Sequence, residues 1–246
     1  SASTTSEGLA QRRKARTVAV RASPGAVGMK ADALPSGAWE SLLPRALMLT
    51  DDISKYGGIA DPFWTFGGGT VLMFRYRHRL SKDIDIFVPD PQYLGFVTPR
   101  LSDTAADLTE DYTEQPGMFV KLQFDEGEVD FVSAPNLLDD AWEVWDIQGR
   151  AVKVETAAEI IAKKMYHRGD RVTARDLFDL ALVIEREPVQ LLAAKPFLLR
   201  HRSAFLAQIR QPHPSLRAAF DAIATLEYTP SFDHCVAVAG EFLDSL

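Results

Sequence analysis

The chain has 246 residues, 46% of them apolar and 10% aromatic, with 25% charged side chains and a net charge of −7. That is the composition of a globular protein able to bury a core as one large domain or two small ones, and it excludes fibrous and wholly disordered classes. The negative balance argues against nucleic-acid binding by the whole surface while leaving room for a local basic channel.

Residues 1–28 stand apart: small and hydroxyl residues, five basic side chains (Arg12, Arg13, Lys14, Arg16, Arg21), one acid (Glu7) and no amphipathic period. They are expected to be a flexible basic leader, with three alternatives open: a transit peptide, a segment upstream of a natural start at Met29, or an arm that touches RNA. From Ala38 to Ile53 the spacing of Trp39, Leu42, Leu43, Ala46 and Leu47 predicts a first helix. Phe63 to Phe66 reads as a short strand running into Gly67-Gly68-Gly69, with a helix from Thr70 to Arg77 behind them. Asp83 to Val88 alternates acidic and apolar residues, the pattern of a strand with two unlike faces. Residues 100–115 are expected to be helical and exposed. Residues 117–124 and 128–133 are expected to form a hairpin around Asp125-Glu126-Gly127. A last strand, 151–154, leads into helix-start chemistry at Glu155 to Glu159, and the rest is expected to be helical. The division is therefore an α/β (α+β) core with a mixed sheet over 29–154 and a helical C-terminal part over 155–246. No run approaches the about 20 apolar residues of a membrane span, and no secretory signal core is present. The single cysteine, Cys235, cannot form an internal disulfide or a thiolate zinc site, so a cytoplasmic location is expected.

The informative stretch is Phe66-Gly67-Gly68-Gly69-Thr70 followed, after twelve residues, by Asp83-Ile84-Asp85. Glycines let a backbone approach phosphate oxygens, the N–H groups of a helix start favour negative charge, and the Thr70 hydroxyl can add a donor. Gly68, Gly69 and Thr70 are thus candidates for a triphosphate seat. Asp83 and Asp85, two apart on a strand, share a face, and side-by-side carboxylates are unfavourable unless a cation compensates them. Mg²⁺ suits such hard ligands together with substrate phosphates, and a third acid on a neighbouring strand, Asp130, completes the expected metal set. Taken singly, an Asp-x-Asp is usually a solvated turn and a glycine run usually a loop; their conjunction at this spacing is what points to chemistry. The glycines match neither the Walker phosphate loop nor the dinucleotide fingerprint.

These residues resemble the AbiEii/AbiGii toxin nucleotidyltransferases, which include the MenT toxins, within the polymerase-β superfamily. The matching stretches are Gly68-Gly69-Thr70-Val71-Leu72 through Arg79-Leu80-Ser81-Lys82-Asp83-Ile84-Asp85, and Glu159-Ile160-Ile161-Ala162-Lys163-Lys164 through Arg175-Asp176-Leu177-Phe178-Asp179-Leu180. The first marks the superfamily and the second this branch. The resemblance implies a polymerase-β-type fold, Asp83 and Asp85 as the metal pair, and Thr70 where the superfamily often has serine. It implies that Lys164 is the essential lysine facing the triphosphate and that Asp176 is the essential aspartate orienting that lysine or the acceptor. Asp130 fits the general superfamily pattern rather than a branch motif. Read without the resemblance, Lys163, Lys164, His167, Arg168, Arg171 and Arg175 still form a basic cluster suited to phosphate or an RNA end, against the plainer reading of a solvated helix face with one Lys–Asp pair.

The expected function is Mg²⁺-dependent transfer of a nucleoside monophosphate from an NTP to an acceptor hydroxyl. The resemblance suggests a toxin of a toxin–antitoxin or phage-defence pair, a tRNA 3′ end as acceptor and a cognate antitoxin as partner. The alternatives are a small-molecule acceptor of the aminoglycoside kind or a protein side chain, and a non-catalytic nucleotide- or partner-binding module with this fold.

Overall fold

The computed structural model describes residues 34–246; the leader over 1–28 lies outside the described residues. The chain enters through α1 (Trp39–Gly57), whose Leu42, Leu43, Ala46, Leu49 and Ile53 are buried at helical spacing. Strand β1 (Thr65–Gly67) turns directly into α2 (Gly68–Tyr76), and β2 (Ile84–Val88) returns antiparallel to β1. A 3₁₀ turn over Pro91–Phe96 and α3 (Asp103–Leu108) lead to β3 (Tyr112–Gln115), β4 (Phe119–Phe124) and β5 (Gly127–Ser133). Strands β6 (Trp142–Ile147) and β7 (Arg150–Glu155) complete a seven-stranded sheet of order β3-β4-β5-β2-β1-β7-β6. It is mixed, because β2 pairs parallel with β5 and β1 parallel with β7, while the other neighbours run antiparallel.

The strand faces follow the sequence alternation. Ile84, Ile86 and Val88 on β2, with Val129 and Phe131 on β5, are fully buried, and α1 packs on these two strands. Each such side chain contributes about 1.5–3 kcal/mol, so β2 is held by one face and leaves Asp85 and Phe87 on the other.

The helical part comprises α4 (Ala157–Arg168), α5 (Ala174–Arg186), α6 (Pro188–Leu191), α7 (Lys195–Leu198), α8 (Arg202–Arg210), α9 (Pro214–Asp221) and α10 (Phe232–Ser245). Thr156 and Thr173 cap α4 and α5, accepting from the N–H of Glu159 and Asp176 three residues on. Residues 224–227 lie along the segment after α2: Leu80 N donates to Ala224 O at 2.8 Å, Leu226 N to His78 O at 3.0 Å, and Glu227 N to Arg77 O at 2.8 Å. The C-terminal part is thereby strapped to the stretch joining the glycine turn to Asp83.

Four local expectations are corrected. Residues 100–115 are not one helix: only α3 is helical, and Tyr112–Gln115 is an edge strand on β4 whose alternating exposure is the period of a strand. The first strand is shifted to Thr65–Gly67, because Gly67 pairs with Asp85. Helix α2 begins at Gly68 rather than Thr70, so two glycines belong to its first turn. Strand β6, unanticipated, pairs along its whole length with β7 and forms the other edge.

Candidate active site

The glycines are dictated by what lies against them. Gly68 has φ +73°, the left-handed region that side chains rarely adopt, and a Cβ there would collide with the Asp85 carboxylate. A Cβ on Gly67 would run into Glu155, and one on Gly69 into the Arg79 guanidinium and Ser81 Oγ. Gly67, as N-cap of α2, supplies no side-chain cap. The first N–H groups of the helix therefore lack that partner and, with the helix dipole, favour an anion beside Asp85.

Directly paired positions place Lys121, Asp130, Asp85 and Gly67 in one row across β4, β5, β2 and β1. Cross-strand partners share a face, so Asp85 and Asp130 stand side by side. Asp130 Oδ2 lies 3.5 Å from Lys121 Nζ, whereas its buried Oδ1 has no partner. Loss of water raises the Asp130 carboxyl to about 7, aided by the charge of Asp85. Asp85 is likewise raised to about 6, chiefly by loss of water, with Lys164 and Arg168 pulling it down and Asp83 pushing it up. Asp83, just before β2, accepts at Oδ1 from the N–H of Glu128 at 2.9 Å.

Opposite this row, α4 and α5 bring a second charged cluster. Lys164 Nζ lies 3.1 Å from Asp176 Oδ1 and 3.2 Å from Asp179 Oδ2. Arg168 Nη2 donates to Asp176 at 2.6 Å. Asp179, fully buried, accepts from Arg79 through Nε and Nη2, both at 2.8 Å, and its Oδ1 is 2.8 Å from His78 Nε2. Although burial acts to raise both carboxyls, the Lys164 and Arg168 charges hold Asp176 below the ordinary range, and Arg79 and Lys164 hold Asp179 well below it.

The family described as "Nucleotidyl transferase AbiEii toxin, Type IV TA system" matches residues 58–242. The chain belongs to the AbiEii nucleotidyltransferase toxin family. The solved "Crystal structure of putative nucleotidyltransferase from H. pylori" is similar at 13% identity and a TM-score of 0.50, covering 86% of this chain and 95% of that one, a likeness of fold. MenT4, a nucleotidyltransferase toxin from Mycobacterium tuberculosis H37Rv, is similar at 19% identity and a TM-score of 0.46, covering 86% of each chain. The comparison with curated proteins gives no significant match. The chain is accordingly a nucleotidyltransferase with a mixed-sheet α/β fold.

In this AbiEii-family chain, the glycine turn, Asp85, Asp130 and Lys164 come together. Thr70 is placed differently from expectation: it is fully buried, and its hydroxyl donates to the Asp83 carbonyl at 2.6 Å, with Ser81 Oγ at 3.1 Å. It pins the turn to the entry of β2. The expected set Asp83, Asp85 and Asp130 is not closed into a cage: among the described residues no three carboxylate, histidine or cysteine side chains surround one point. A divalent cation nevertheless fits Asp85 and Asp130, which are adjacent hard ligands short of positive charge with Oδ1 of Asp130 unpartnered; Mg²⁺ takes one or two carboxylates plus substrate phosphates.

Arg79 and Asp179 both lie within the sequence motifs, but nothing in those motifs marks them as a pair. A buried Arg under a glycine turn has no local signature, since its partner is 100 residues away. Lys163, expected in the basic cluster, is instead buried beneath Gly67: it pairs with Glu155, which accepts from Thr65 at 2.7 Å, and its ammonium sits 4.0 Å over the Phe87 ring, so it is not available to a phosphate. Cys235 is free and buried, and among the described residues no helix is long and apolar enough to cross a membrane. Two cavities lie away from the aspartates, one of about 220 Å³ beside Thr98, Arg100 and Glu114, the other of about 380 Å³ beside Phe178, Arg217 and Phe232.

Proposed function

We propose that this chain transfers a nucleoside monophosphate from an NTP to the 3′ hydroxyl of a tRNA, and that it is the toxin partner of a cognate antitoxin. The observation that carries the transfer reading is the Asp85–Asp130 pair, side by side and short of a cation, beside the α2 N-terminus and within reach of the Lys164 and Arg168 charges. The toxin role is supported by the family and the tRNA acceptor by the resemblance and the basic last turn of α4.

In this reading the N–H groups of Gly68 to Thr70 bind the triphosphate, and Lys164 neutralises it while Asp176 and Asp179 hold the ammonium in place. Asp85 and Asp130 would hold Mg²⁺, with Asp83 beside them; the ion supplies charge neutralisation at the reacting phosphate. The acceptor oxygen forms a bond to the α-phosphorus, the α-phosphorus to pyrophosphate bond breaks, and the hydroxyl proton has an acceptor in the Asp130 carboxylate. Positioning and electrostatics dominate such transfers.

The test is incubation of the purified protein with Mg²⁺, each α-labelled NTP in turn and total tRNA, beside Asp85→Ala. Label should enter tRNA only with the unaltered protein. Metal-dependent NTP binding without label in tRNA would move the acceptor to a small molecule or a protein side chain.

A further inference from the structure

The proposed function leaves open how an acidic protein would hold a polyanionic acceptor. One part of its surface has the chemistry for that. Arg200, exposed between α7 and α8, lays its guanidinium over the Tyr166 ring at 4.2 Å from the centroid. Phe197 and His167 brace the same ring edge-on, at 5.7 and 5.0 Å between centroids. Among the described residues Arg200 has no carboxylate partner, unlike Arg168 with Asp176, Arg210 with Asp244 and Arg217 with Asp233. An exposed arginine held over a tyrosine ring is a surface on which a nucleobase can stack.

The stack is joined to the active site through the last turn of α4. His167 lies next to Arg168, whose charge reaches Asp85; burial first, and then the charges of Lys163 and Arg200, hold the His167 imidazole below the ordinary histidine range. On α4, Lys164 and Arg168 share the face toward the aspartate row, His167 lies about 60° to one side of Lys164, and Tyr166 lies about 160° round, on the face toward α7, with the buried Lys163 between them. Two cations, Arg168 and Arg200, with the His167 ring between them, thus flank the last turn of α4 between the reacting centre and an aromatic platform. A small neutral acceptor would have no use for it, and an acidic peptide would not need the stacked face.

We propose that the Tyr166–Arg200 stack, with His167 and Arg168 beside it, seats the acceptor as a single-stranded RNA 3′ end: a base lies on the Arg200 guanidinium and the phosphates follow His167 and Arg168 toward Asp85. This rests on the transfer reading above and adds the surface that selects RNA. Arg200 and Tyr166 lie outside the glycine and aspartate motifs, so they act on acceptor binding.

The experiment measures binding of a fluorescein-labelled oligoribonucleotide with a free single-stranded 3′ end by anisotropy, over a salt series, for the full chain and for Arg200→Ala, Tyr166→Leu and Tyr166→Phe. Arg200→Ala and Tyr166→Leu should each weaken binding about tenfold, whereas Tyr166→Phe, which keeps the ring, should bind like the unaltered protein. Arg200→Ala, which removes a stacking face rather than a phosphate contact, should leave the slope of log affinity against log salt close to that of the unaltered protein, and binding kept by Tyr166→Phe but lost by Tyr166→Leu is a pattern that a merely structural role would not produce. RNA bound as tightly by both disruptive variants as by the unaltered protein would overturn the platform and leave the RNA acceptor standing. No RNA binding by the unaltered protein, under conditions where it binds NTP, would overturn the platform together with the RNA acceptor.

Discussion

The molecule holds two acidic pairs of opposite character. Asp176 and Asp179 are buried among Lys164, Arg168 and Arg79, more cations than carboxylates, and are held below the ordinary range. In the other pair Asp130 has Lys121 as a close cationic contact, shared with Glu128, while among the described residues Asp85 has no ion pair, and burial raises Asp85 to about 6 and Asp130 to about 7. The first pair is balanced in charge, although Oδ2 of Asp176 is buried without a hydrogen-bond partner, and it joins the helical part to the glycine turn. The second is electrostatically unfinished, and it is the one beside the uncapped helix start. A charge left unbalanced by the fold marks where a ligand supplies the balance.

The comparison can be broken most severely at Asp179. Asp179→Ala leaves Arg79 buried without its bidentate partner, so unfolding in urea should show a loss of about 3–5 kcal/mol; a loss under about 1 kcal/mol would mean that the cluster is not the joint described here. Gly68→Ala tests the other pair, because its Cβ would push the Asp85 carboxylate aside. Misplacement on that scale should lower the rate of transfer about a hundredfold, read in a tRNA-labelling assay. Thr70→Val removes the hydrogen bond to the Asp83 carbonyl and should cost about 1–2 kcal/mol in the same urea titration, with NTP affinity reduced less than by Lys164→Ala.

The smallest effect is one of pH. Asp85 and Asp130 titrate in the fold above the unfolded value of about 4, so between about pH 4 and 7 the folded state binds more protons than the unfolded. Stability without metal should therefore fall as pH rises through that window. Asp176 and Asp179 act in the opposite sense, since their depressed values give stability that is present above about pH 4 and lost on acidification below it. Melting curves in EDTA should decline from pH 5 to 8, with Mg²⁺ restoring the loss at pH 8 and having little effect at pH 5.

Much of this was legible in the sequence where the signal is local. The alternation Asp83-Ile84-Asp85-Ile86 specifies a two-faced strand, and that strand delivers Asp85 into the site. The threonine caps of α4 and α5 place Lys164 and Asp176. What escaped is long-range. Residues 112–115 become a strand only because β4 offers an edge. The Thr70 hydroxyl points inward because Asp83 O lies within 2.6 Å, not toward a phosphate. Arg79 and Asp179, a hundred residues apart, look like an ordinary surface arginine and helix acid until α5 packs behind the glycine turn.

The most direct measurement sets Asp85→Asn beside the unaltered protein for two quantities, urea stability without metal and the Mg²⁺-dependent rate of nucleotide transfer. Relieving a repulsive buried pair should leave stability equal or higher while transfer falls about a thousandfold or more. An Asp85→Asn protein that is clearly less stable, or that transfers nucleotide at more than about a tenth of the original rate, would contradict the assignment of this pair as the unfinished, ligand-completed half of the site.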